Sequence, residues 1–288
     1  MHVLVTGATG LLGSVVCRRL VERGIQVTGI VRAESLAKSS EIRFLSLDLA
    51  TEGLDRDCLA GIDVIIHLAQ SSKFRDFPGN ALDIYNVNVA STARLLDYAR
   101  EVGISKFIYA SSGGVYGHGS QAFKENAAIV PPGQLGYYLG SKACGEILVQ
   151  SYASIFNVTV IRPFFIYGPG QNRSMLIPRL IDCVAAGTPI NLHGSDGIRI
   201  NPVHVEDAAF AVIGALDKQD NATYNIAGPE VLSMRQIGDA IGNYLCVEPV
   251  FAQIQGERRD LVADISAMKS SLHTPLRLIS DSLCEISV

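Results

Sequence analysis

Short apolar runs rich in β-branched residues alternate with longer segments of helical periodicity along the first half of the chain. The runs are apolar almost throughout, which is typical of strands in a parallel sheet that helices cover on both faces. The pattern therefore predicts an α/β fold with a doubly wound parallel sheet, that is, a Rossmann sheet. The predicted strands are 2–6, 26–31, 43–47, 63–69, 106–111 and 158–163.

The clearest helical segment begins near Leu11, and Gly24 is the residue at which we expect it to stop. Its apolar residues recur at intervals that place them on one stripe, which can face the sheet. The segment follows the first strand closely, so a strand, a turn and a helix open the chain. The stripe consists of Leu12, Val15, Val16, Leu20 and Val21.

After about residue 165 the pattern loosens into loops rich in Gly, Pro, Asn and Ser. Two later apolar segments, 201–207 and 223–228, are expected to return to the core. We therefore predict a Rossmann domain over 1–165, with returning segments near 200–228. The remainder of 166–288 is predicted to form a small, partly interleaved substrate-binding lobe.

Composition narrows the classes of function. The formal charge of −4 and the absence of a Lys/Arg-rich block argue against nucleic acid or a membrane surface as the main partner. The N-terminus lacks the basic region of a signal peptide, so we expect a cytoplasmic protein. The six cysteines are spread singly with no C-x-x-C pair, so neither a disulfide framework nor a metal site is expected.

The turn between the first strand and the first helix carries three glycines in G-x-x-G-x-x-G spacing. Glycines there permit a tight turn and close approach of the backbone to a pyrophosphate, and the helix N-terminus supplies free N–H groups. This position predicts dinucleotide binding, against the alternative of a merely structural turn. The cofactor-binding residues predicted in this turn are Gly7, Thr9, Gly10, Leu11, Leu12 and Gly13.

The ends of the second and third strands bear on the choice of cofactor. Arg32 stands where an NAD-specific site often has a carboxylate, and a guanidinium can accept a 2′-phosphate, so NADP(H) is slightly favoured over NAD(H). The alternative is that Arg32 is a solvated loop residue. Asp48 is a candidate to meet the adenine amino group, although a carboxylate at a turn is also common for local reasons.

The stretch "GYYLGSK" at 136–142 places two tyrosines ahead of one lysine. On a helix, residues four apart share a face, so Tyr138 can meet Lys142 while Tyr137 points about 100° away. A neighbouring ammonium would stabilise the ionised phenol, so we expect the pKa of Tyr138 to fall toward working pH. A Y-x-x-x-K pattern also arises by chance, so the pair needs a context.

That context is a family resemblance. The chain resembles the extended short-chain dehydrogenase/reductases, specifically the NAD(P)-dependent epimerase/dehydratase group that acts on nucleotide sugars. The similarity runs through nearly the whole sequence. It is carried by the glycine turn and by "IIHLA" (65–69), "NVAST" (88–92), "FIYASSGGVYG" (107–117), "YYLGSKACGE" (137–146), "IRPFFIYGPG" (161–170), "PVHVEDAA" (202–209) and "YNIAGPEVLS" (224–233).

The resemblance implies that Tyr138 is the catalytic tyrosine, that Lys142 is its partner and that Ser112 hydrogen-bonds the reacting oxygen. Tyr138 would exchange a proton with the substrate while hydride passes between the same carbon and the nicotinamide. Asn88 matches an asparagine that supports the active site. Each residue also has an interpretation that needs no catalysis: Ser112 would cap a turn, Asn88 would cap the N-terminus of a helix and Lys142 would be a surface cation.

The resemblance also implies contacts with the cofactor and the substrate. Nucleotide sugars are the substrates that it implies. The remaining cofactor-binding residues that it implies are Leu49, Leu68, Ala69, Gln70, Asn88, Tyr138, Lys142, Pro163 and Phe165. The substrate-binding residues that it implies are Ser112, Arg199 and Arg259.

Several positions depart from the family pattern. Phe165 stands where relatives that bind nucleoside diphosphate sugars usually carry a polar residue, so that contact with the diphosphate is missing. Gln70 replaces a small residue close to the expected path of the cofactor. Arg199 lies one residue out of register with a phosphate-binding arginine of relatives, and Arg258 and Arg259 form a second candidate pair.

The residues after Ser112 bear on the reaction. Relatives that dehydrate 4-keto sugars carry an Asp-Glu pair there, whereas this chain has Gly113 and Gly114, so a dehydratase is disfavoured. C4 epimerisation, as in a UDP-glucose 4-epimerase, is slightly favoured over NADPH-dependent reduction of a 4-keto nucleotide sugar. A different class of function is a sensor that binds a dinucleotide without catalysis.

Relatives commonly form homodimers, through helices that correspond to 93–100 and 143–153.

Overall fold

The computed structural model describes residues 1–32, 40–51, 60–256 and 259–286. None of the helices in these ranges is both long enough and apolar enough to span a lipid bilayer. The described strands are β1 (His2–Thr6), β2 (Gln26–Val31), β3 (Ile42–Ser46), β4 (Val64–His67), β5 (Lys106–Ala110), β6 (Asn157–Pro163), β7 (Ile166–Tyr167), β8 (Ile190–His193), β9 (Arg199–Ile200), β10 (Val203–His204), β11 (Ala222–Ile226), β12 (Leu232–Ser233) and β13 (Phe251–Ile254). The described α-helices are α1 (Leu11–Glu22), α2 (Ala81–Tyr85), α3 (Ser91–Val102), α4 (Pro132–Gln150), α5 (Leu176–Ala185), α6 (Val205–Gly214), α7 (Met234–Leu245), α8 (Ser266–Ser271) and α9 (Ile279–Ser282). A π-helical turn covers Asn86–Ala90, and 3₁₀ turns cover Gly113–Tyr116, Ala215–Asp217 and Leu283–Glu285.

Seven of the described strands form one sheet in the order β11-β6-β5-β4-β1-β2-β3. Every neighbouring pair in this sheet is parallel. The chain winds outward from β1 to β3, returns to β4 on the other side of β1, and then winds outward again. This confirms the doubly wound Rossmann fold, with the topological switch point between β1 and β4.

The observed strands agree with the predicted ones to within one residue at every end except one. The fourth strand covers Val64–His67, whereas the apolar run predicts 63–69. The run continues past the strand because Leu68 and Ala69 leave the sheet and line a cleft. Apolar residues at a ligand cleft and in a buried strand produce the same pattern, so the sequence did not separate them.

Side chains of β1 alternate between two hydrophobic cores, one on each face of the sheet. Val3 and Val5 lie in the core that α1 and α6 share, and Leu4 lies in the opposite core with residues of α3 and α4. All three side chains are fully buried. Because helices cover both faces, the strand has no polar face, which explains the unbroken apolar run.

The second half of the chain contributes both to the main sheet and to smaller sheets. Residues 222–226 extend the sheet beside β6, and α6 packs against α1. The short pairs β7 with β10, β9 with β12 and β8 with β13 lie outside the main sheet. A third core connects these pairs with α5 and α7; it includes Tyr167, Ile181, Ile190 and Ile237.

Candidate active site

A cleft of about 1170 Å³ opens where the parallel strands end. Its walls come from the turn after β1, from the segments after β2 to β6, and from α4 and α5. Doubly wound sheets bind their ligands at this edge. The predicted site residues that line the cleft are Gly7, Thr9, Gly10, Leu11, Leu12, Gly13, Arg32, Asp48, Leu49, Leu68, Ala69, Gln70, Ser112, Tyr138, Lys142, Pro163 and Phe165.

The glycine turn is too crowded for side chains. A Cβ at Gly13 would lie 2.0 Å from the carbonyl oxygen of Gly7, and Gly7 itself has a φ of 68° with the backbone of Ala69 close by. Gly10 begins α1 without a side-chain cap. The first N–H groups of α1 can therefore bind the pyrophosphate of a dinucleotide.

Arg32 and Asp48 line the cleft where β2 and β3 end. Arg32 follows the last residue of β2 directly. The Asp48 Oδ1 atom accepts a hydrogen bond from the backbone N–H of Ala50 at 2.9 Å. Asp48 thus supports a local turn and also faces the cleft, so the two interpretations of this carboxylate are compatible.

A buried hydrogen-bonded chain lies behind the glycine turn. The hydroxyl of Thr6 lies 2.6 Å from His67 Nδ1, and His67 Nε2 lies 2.9 Å from the hydroxyl of Thr92. Thr6 Oγ1 also accepts the backbone N–H of Ala69 at 3.1 Å. Burial, aided by the charge of Lys142, lowers the pKa of His67 to about 3, so the imidazole is neutral at pH 7. These hydrogen bonds connect β1, β4 and α3 and fix the backbone of the cleft. No pattern in the sequence predicted them.

Tyr138 faces the cleft from the first turn after a kink in α4. The kink is at Gly136, whose φ of 68° and ψ of 173° are not helical. The Tyr138 hydroxyl donates to Gln70 Oε1 at 2.8 Å, and the ring of Phe74 lies 4.9 Å from the Tyr138 ring. Tyr137 instead stacks on the exposed ring of Phe77 at 4.7 Å. The helical spacing thus separates the two tyrosines as predicted.

The expected lowering of the pKa of Tyr138 is wrong in this structure. Burial raises the pKa of Tyr138 to about 12, and the positive charge of Arg75 opposes that rise. The phenol is enclosed by residues of a loop, and the ammonium group of Lys142 is hydrogen-bonded elsewhere. The effect of burial on the pKa of Tyr138 therefore outweighs any effect of the Lys142 charge, which the four-residue spacing places on the same helical face.

Lys142 is a buried cation and not a surface one. Its side chain is 2% exposed, and its Nζ atom donates to the carbonyl oxygen of Ala110 at 2.9 Å. The ring of Tyr109 lies 5.5 Å from the ammonium nitrogen. Burial lowers the pKa of Lys142 to about 8. The ammonium group thus belongs to the wall of the cleft, where the carbonyl oxygen of Ala110 accepts its hydrogen bond.

Asn88 lies behind the cleft and not among the described residues that line it. It is buried in the π-helical turn and therefore does not cap a helix. Its Oδ1 atom accepts the backbone N–H of Ser71 at 2.9 Å, and its Nδ2 atom donates to Ser141 Oγ at 2.9 Å. The Ser141 hydroxyl donates in turn to the carbonyl oxygen of Tyr138 at 2.6 Å. Asn88 thus links the segment after β4 with the turn that bears Tyr138.

Ser112 lines the cleft and also begins the 3₁₀ turn after β5. Its Oγ atom accepts the backbone N–H of Gly114 at 3.2 Å. The neighbouring Ser111 hydroxyl lines the same cleft and is buried with no hydrogen-bond partner among the described residues. Ser112 can therefore cap the turn and still direct its hydroxyl hydrogen to a ligand.

The predicted substrate-binding arginines are not brought to the cleft. Arg199 forms an ion pair with Asp260 at 2.8 Å, and neither Arg199 nor Arg259 is among the described residues that line the cleft. Arg258 lies outside the described residues. The cations that line the cleft toward α5 are instead Lys73, Arg75 and Arg179. No motif in the sequence pointed to these three cations, because Lys73 and Arg75 are single basic residues of a loop and Arg179 is a single basic residue of α5.

Phe165 has a positive φ of 46°, which is rare for a residue with a bulky side chain. It lines the cleft and also packs against two hydrophobic cores. Asparagine is one of the few residues that adopt this conformation readily.

Known proteins resemble this chain over most of its length. Residues 3–227 match the model of the NAD dependent epimerase/dehydratase family. The uncharacterized UDP-glucose epimerase YtcB of Bacillus subtilis (strain 168) is 30% identical over 306 aligned positions, which cover 98% of this chain and 96% of that protein. The dTDP-4-dehydro-6-deoxy-D-allose reductase of Streptomyces bikiniensis is 28% identical over 82% of this chain and 78% of its own length. A solved structure of UDP-glucuronic acid 4-epimerase from Bacillus cereus, in complex with UDP-glucuronic acid and NAD, gives a TM-score of 0.86 at 26% identity, covering 99% of this chain and 97% of that one.

A doubly wound sheet with a glycine turn and a Tyr-x-x-x-Lys pair in one cleft defines the extended short-chain dehydrogenase/reductases. Within that class, the chain belongs to the NAD-dependent epimerase/dehydratase family. It is therefore an enzyme that works with NAD(P).

Proposed function

We propose that the protein transfers hydride at C4 of a nucleotide sugar and acts as a C4 epimerase of the UDP-glucose 4-epimerase type. The observation that carries this proposal is that Ser112, Tyr138 and Lys142 line the same cleft as the glycine turn. The relatives named as UDP-sugar epimerases support the substrate class. Epimerisation removes a hydride from C4 and returns it to the opposite face.

Each cleft residue has a distinct role in this proposal. When bound, the nicotinamide ring accepts hydride from C4 of the sugar and gives it back. In its ionised form, Tyr138 takes the proton of the C4 hydroxyl as that carbon becomes a carbonyl, and returns it afterwards. Ser112 donates a hydrogen bond to the C4 oxygen, and Lys142 holds the ribose of the cofactor. Asn88 keeps the catalytic turn in place through Ser141.

The two glycines after Ser112 speak against a dehydratase. A Cβ at Gly113 would lie 2.4 Å from the ring of Phe164, and one at Gly114 would lie 2.8 Å from Leu139. An acidic side chain at Gly113 would have to displace the buried ring of Phe164, and one at Gly114 would have to move the end of the Leu139 side chain. Elimination needs a further acid and base, which the two glycines do not supply.

Reduction of a 4-keto nucleotide sugar by NADPH is the second candidate. Arg32 lines the cleft where a 2′-phosphate would lie, which favours NADP(H). The dTDP-4-dehydro-6-deoxy-D-allose reductase among the relatives supports this reaction class. A sensor without turnover has little support, because mere binding of a dinucleotide has no use for the acid/base hydroxyl of Tyr138 in the cleft.

We further propose that the diphosphate of the substrate meets the cations Lys73, Arg75 and Arg179. All three line the cleft, and Lys73 lies 3.7 Å from Asp83, whereas Arg199 is paired with Asp260 and does not line the cleft. Their positive charges can replace the contact that Phe165 does not supply. The negative net charge and the lack of a basic block support a small-molecule substrate in the cytoplasm, with no nucleic acid or membrane as partner.

The reaction is tested by absorbance of the purified protein in the reduced-nicotinamide band, followed by incubation with UDP-, GDP- and dTDP-linked sugars. Epimerisation predicts retained cofactor and conversion of the sugar with no net redox change. Reduction predicts consumption of added NADPH by a 4-keto sugar. Silence across the panel would refute both. Fluorescence titrations with NADH and NADPH test the cofactor: a lower Kd for NADPH is expected from Arg32, and equal values would contradict that expectation.

The role of Tyr138 is tested with a matched pair of variants. Tyr138→Phe is expected to lower kcat by about 100-fold or more, because general acid/base catalysis is lost while the ring is kept. Tyr137→Phe removes the adjacent hydroxyl, which lies outside the cleft, and should leave kcat unchanged. Equal kcat values for the two variants would show that the cleft tyrosine is not the acid/base.

A further inference from the structure

We propose that Gln70 is a positioning residue for Tyr138: its side-chain carbonyl holds the Tyr138 hydroxyl in the cleft until an oxygen of the substrate takes its place. The inference rests on the proposed function, because it takes Tyr138 as the acid/base. Gln70 lies three residues after β4, and its side chain is exposed to the cleft. Its Oε1 atom accepts the hydrogen bond of the Tyr138 hydroxyl at 2.8 Å.

The other polar groups of the predicted catalytic set are engaged elsewhere. Ser112 Oγ accepts a backbone N–H of its own 3₁₀ turn at 3.2 Å, and Lys142 Nζ donates to a backbone carbonyl of β5 at 2.9 Å. In the described part of the chain, Gln70 is therefore the hydrogen-bond partner of the Tyr138 hydroxyl. A substrate hydroxyl that approaches Tyr138 has to replace this contact.

The distance between Gln70 and Tyr138 is set by a buried framework. The residue after Gln70 is Ser71, which is 2% exposed and whose backbone N–H donates to Asn88 at 2.9 Å. Asn88 donates to Ser141 at 2.9 Å, and Ser141 donates to the backbone carbonyl of Tyr138 at 2.6 Å. The buried amide of Asn88 thus fixes both the segment that carries Gln70 and the turn that carries Tyr138. The fold therefore holds the two side chains at contact distance although Gln70 itself is exposed.

The chemistry of the pair predicts the direction of each substitution. An amide carbonyl that accepts from a phenol favours the neutral phenol over the phenolate. A carboxylate at the same place can only accept and also repels the phenolate, so it favours the neutral form more strongly. Removal of the side chain takes away the acceptor and admits water, which favours the phenolate.

The groups that act on Tyr138 besides Gln70 stay constant in such a test. Arg75 favours the phenolate, and Lys73 is paired with Asp83 at 3.7 Å. Lys142 lies one helical turn further along α4 and beside the neutral His67. Among the described residues, Arg75 and Tyr109 interact electrostatically with the phenol, and Lys73, Asp83 and Lys142 line the same cleft.

The test uses Gln70→Glu and Gln70→Ala in the cofactor-loaded protein. The pKa of Tyr138 is read from the tyrosinate absorbance that disappears when Tyr138→Phe is added to each background. We expect Gln70→Glu to raise this pKa by about one unit or more and Gln70→Ala to lower it. Gln134→Glu makes the same chemical change in α4, at an exposed position outside the described lining, and should leave the pKa unchanged.

Turnover gives the second measurement. The acid limb of the profile of kcat/KM against pH should move up for Gln70→Glu and down for Gln70→Ala. The inference would be overturned if neither variant changed the pKa of Tyr138, or if both variants shifted it in the same direction. A wild-type protein that turns over none of the nucleotide sugars would refute the proposed function instead, while the absorbance titration would still decide whether Gln70 acts on Tyr138.

Discussion

Lys142 carries an ammonium group in surroundings that disfavour a charge. Its side chain is 2% exposed, with the Ala110 carbonyl oxygen at 2.9 Å and the Tyr109 ring at 5.5 Å. Burial lowers its pKa to about 8, so the folded protein binds this proton more weakly than the unfolded chain does. The residue therefore reduces stability at neutral pH, which is a common cost of catalytic groups.

Replacement of Lys142 by methionine should separate stability from activity. At pH 7 we expect Lys142→Met to raise the free energy of unfolding by about 1–3 kcal/mol, because a buried charge is removed and the length of the side chain is kept. The pKa in the folded state lies below the value of 10.5 in the unfolded chain. Wild-type stability therefore rises as the pH goes from 8 to 10.5, and the advantage of the variant shrinks over that window. We expect kcat to fall by about 100-fold or more.

Urea unfolding without added cofactor at pH 7, 9 and above 10.5 measures the effect. Lys124→Met is the matched control, since Lys124 is exposed and its replacement should change stability little at any of these pH values. A Lys142→Met protein that is less stable than wild type at pH 7 would contradict the argument.

For single residues, the sequence could predict which side chains share a helical face, but it could not predict their pKa shifts or ion pairs. The spacing of four residues places Tyr138 and Lys142 on one helical face, and the structure has both in the cleft. The direction of the pKa shift of Tyr138 is set by burial, and the loop that carries Gln70 and Phe74 beside the phenol lies more than sixty residues earlier in the chain. The ion pair of Arg199 is equally non-local, because its partner Asp260 follows 61 residues later.

Between the elements, a buried ion pair fixes the helix that carries the cleft residues. Arg162 of β6 donates to both carboxylate oxygens of Glu146 in α4, at 3.0 and 2.7 Å, and the two side chains are 5% and 2% exposed. Glu146 is one turn after Lys142 and two turns after Tyr138, so all three lie on one face of α4. The pair thus sets the position of that face relative to the sheet.

A double-mutant cycle tests this anchor. Glu146→Gln should lower the free energy of unfolding by about 3–5 kcal/mol, because Arg162 is left as a buried charge without its carboxylate. The double variant Glu146→Leu/Arg162→Met should cost less than the sum of its two single variants, since neither buried charge remains. Urea unfolding of the wild type, Glu146→Leu, Arg162→Met and the double variant measures the coupling, and additive effects would show that the two side chains act independently.

Elements with a strong period were predictable, and elements set by local strain were not. Unbroken apolar runs identified the parallel strands because both faces of the sheet are covered. The kink at Gly136 and the π-helical turn Asn86–Ala90 left no periodic signal, although they present Tyr138 and bury Asn88. The short pair β8 with β13 joins segments about sixty residues apart, which no local pattern indicates.

At the scale of the whole molecule, the cleft itself is a product of topology. Its lining runs from Gly7 to Leu261, and the parallel sheet brings the ends of its strands to one edge. The resemblance to a family implied this arrangement in advance, whereas the hydrophobic pattern alone predicted only the class of fold. Lys73, Arg75 and Arg179 stayed unpredicted because the fold decides whether a loop or helix residue faces the cleft.

The outer face formed by α2 and α4 exposes large apolar side chains. Leu82 is 76% exposed, Tyr85 is 47% exposed and Ile147 is 65% exposed, and Phe77 beside them is 56% exposed. By contrast, the apolar stripe of α3 is buried against the molecule's own sheet. Apolar residues grouped on one face indicate a surface for association. We therefore propose that α2 and α4, more than the predicted segment 93–100, carry the homodimer contact.

Light scattering after size-exclusion chromatography tests this surface. The wild-type protein is expected at twice its chain mass of 30.9 kDa, and Ile147→Glu at the mass of one chain, because a buried unpaired carboxylate in the interface costs several kcal/mol. Val231→Glu places the same charge on an apolar residue that is 46% exposed outside this face, so that variant should stay dimeric. A monomeric wild-type protein, or an Ile147→Glu variant that keeps the double mass, would place the association of this chain on another surface or remove it altogether.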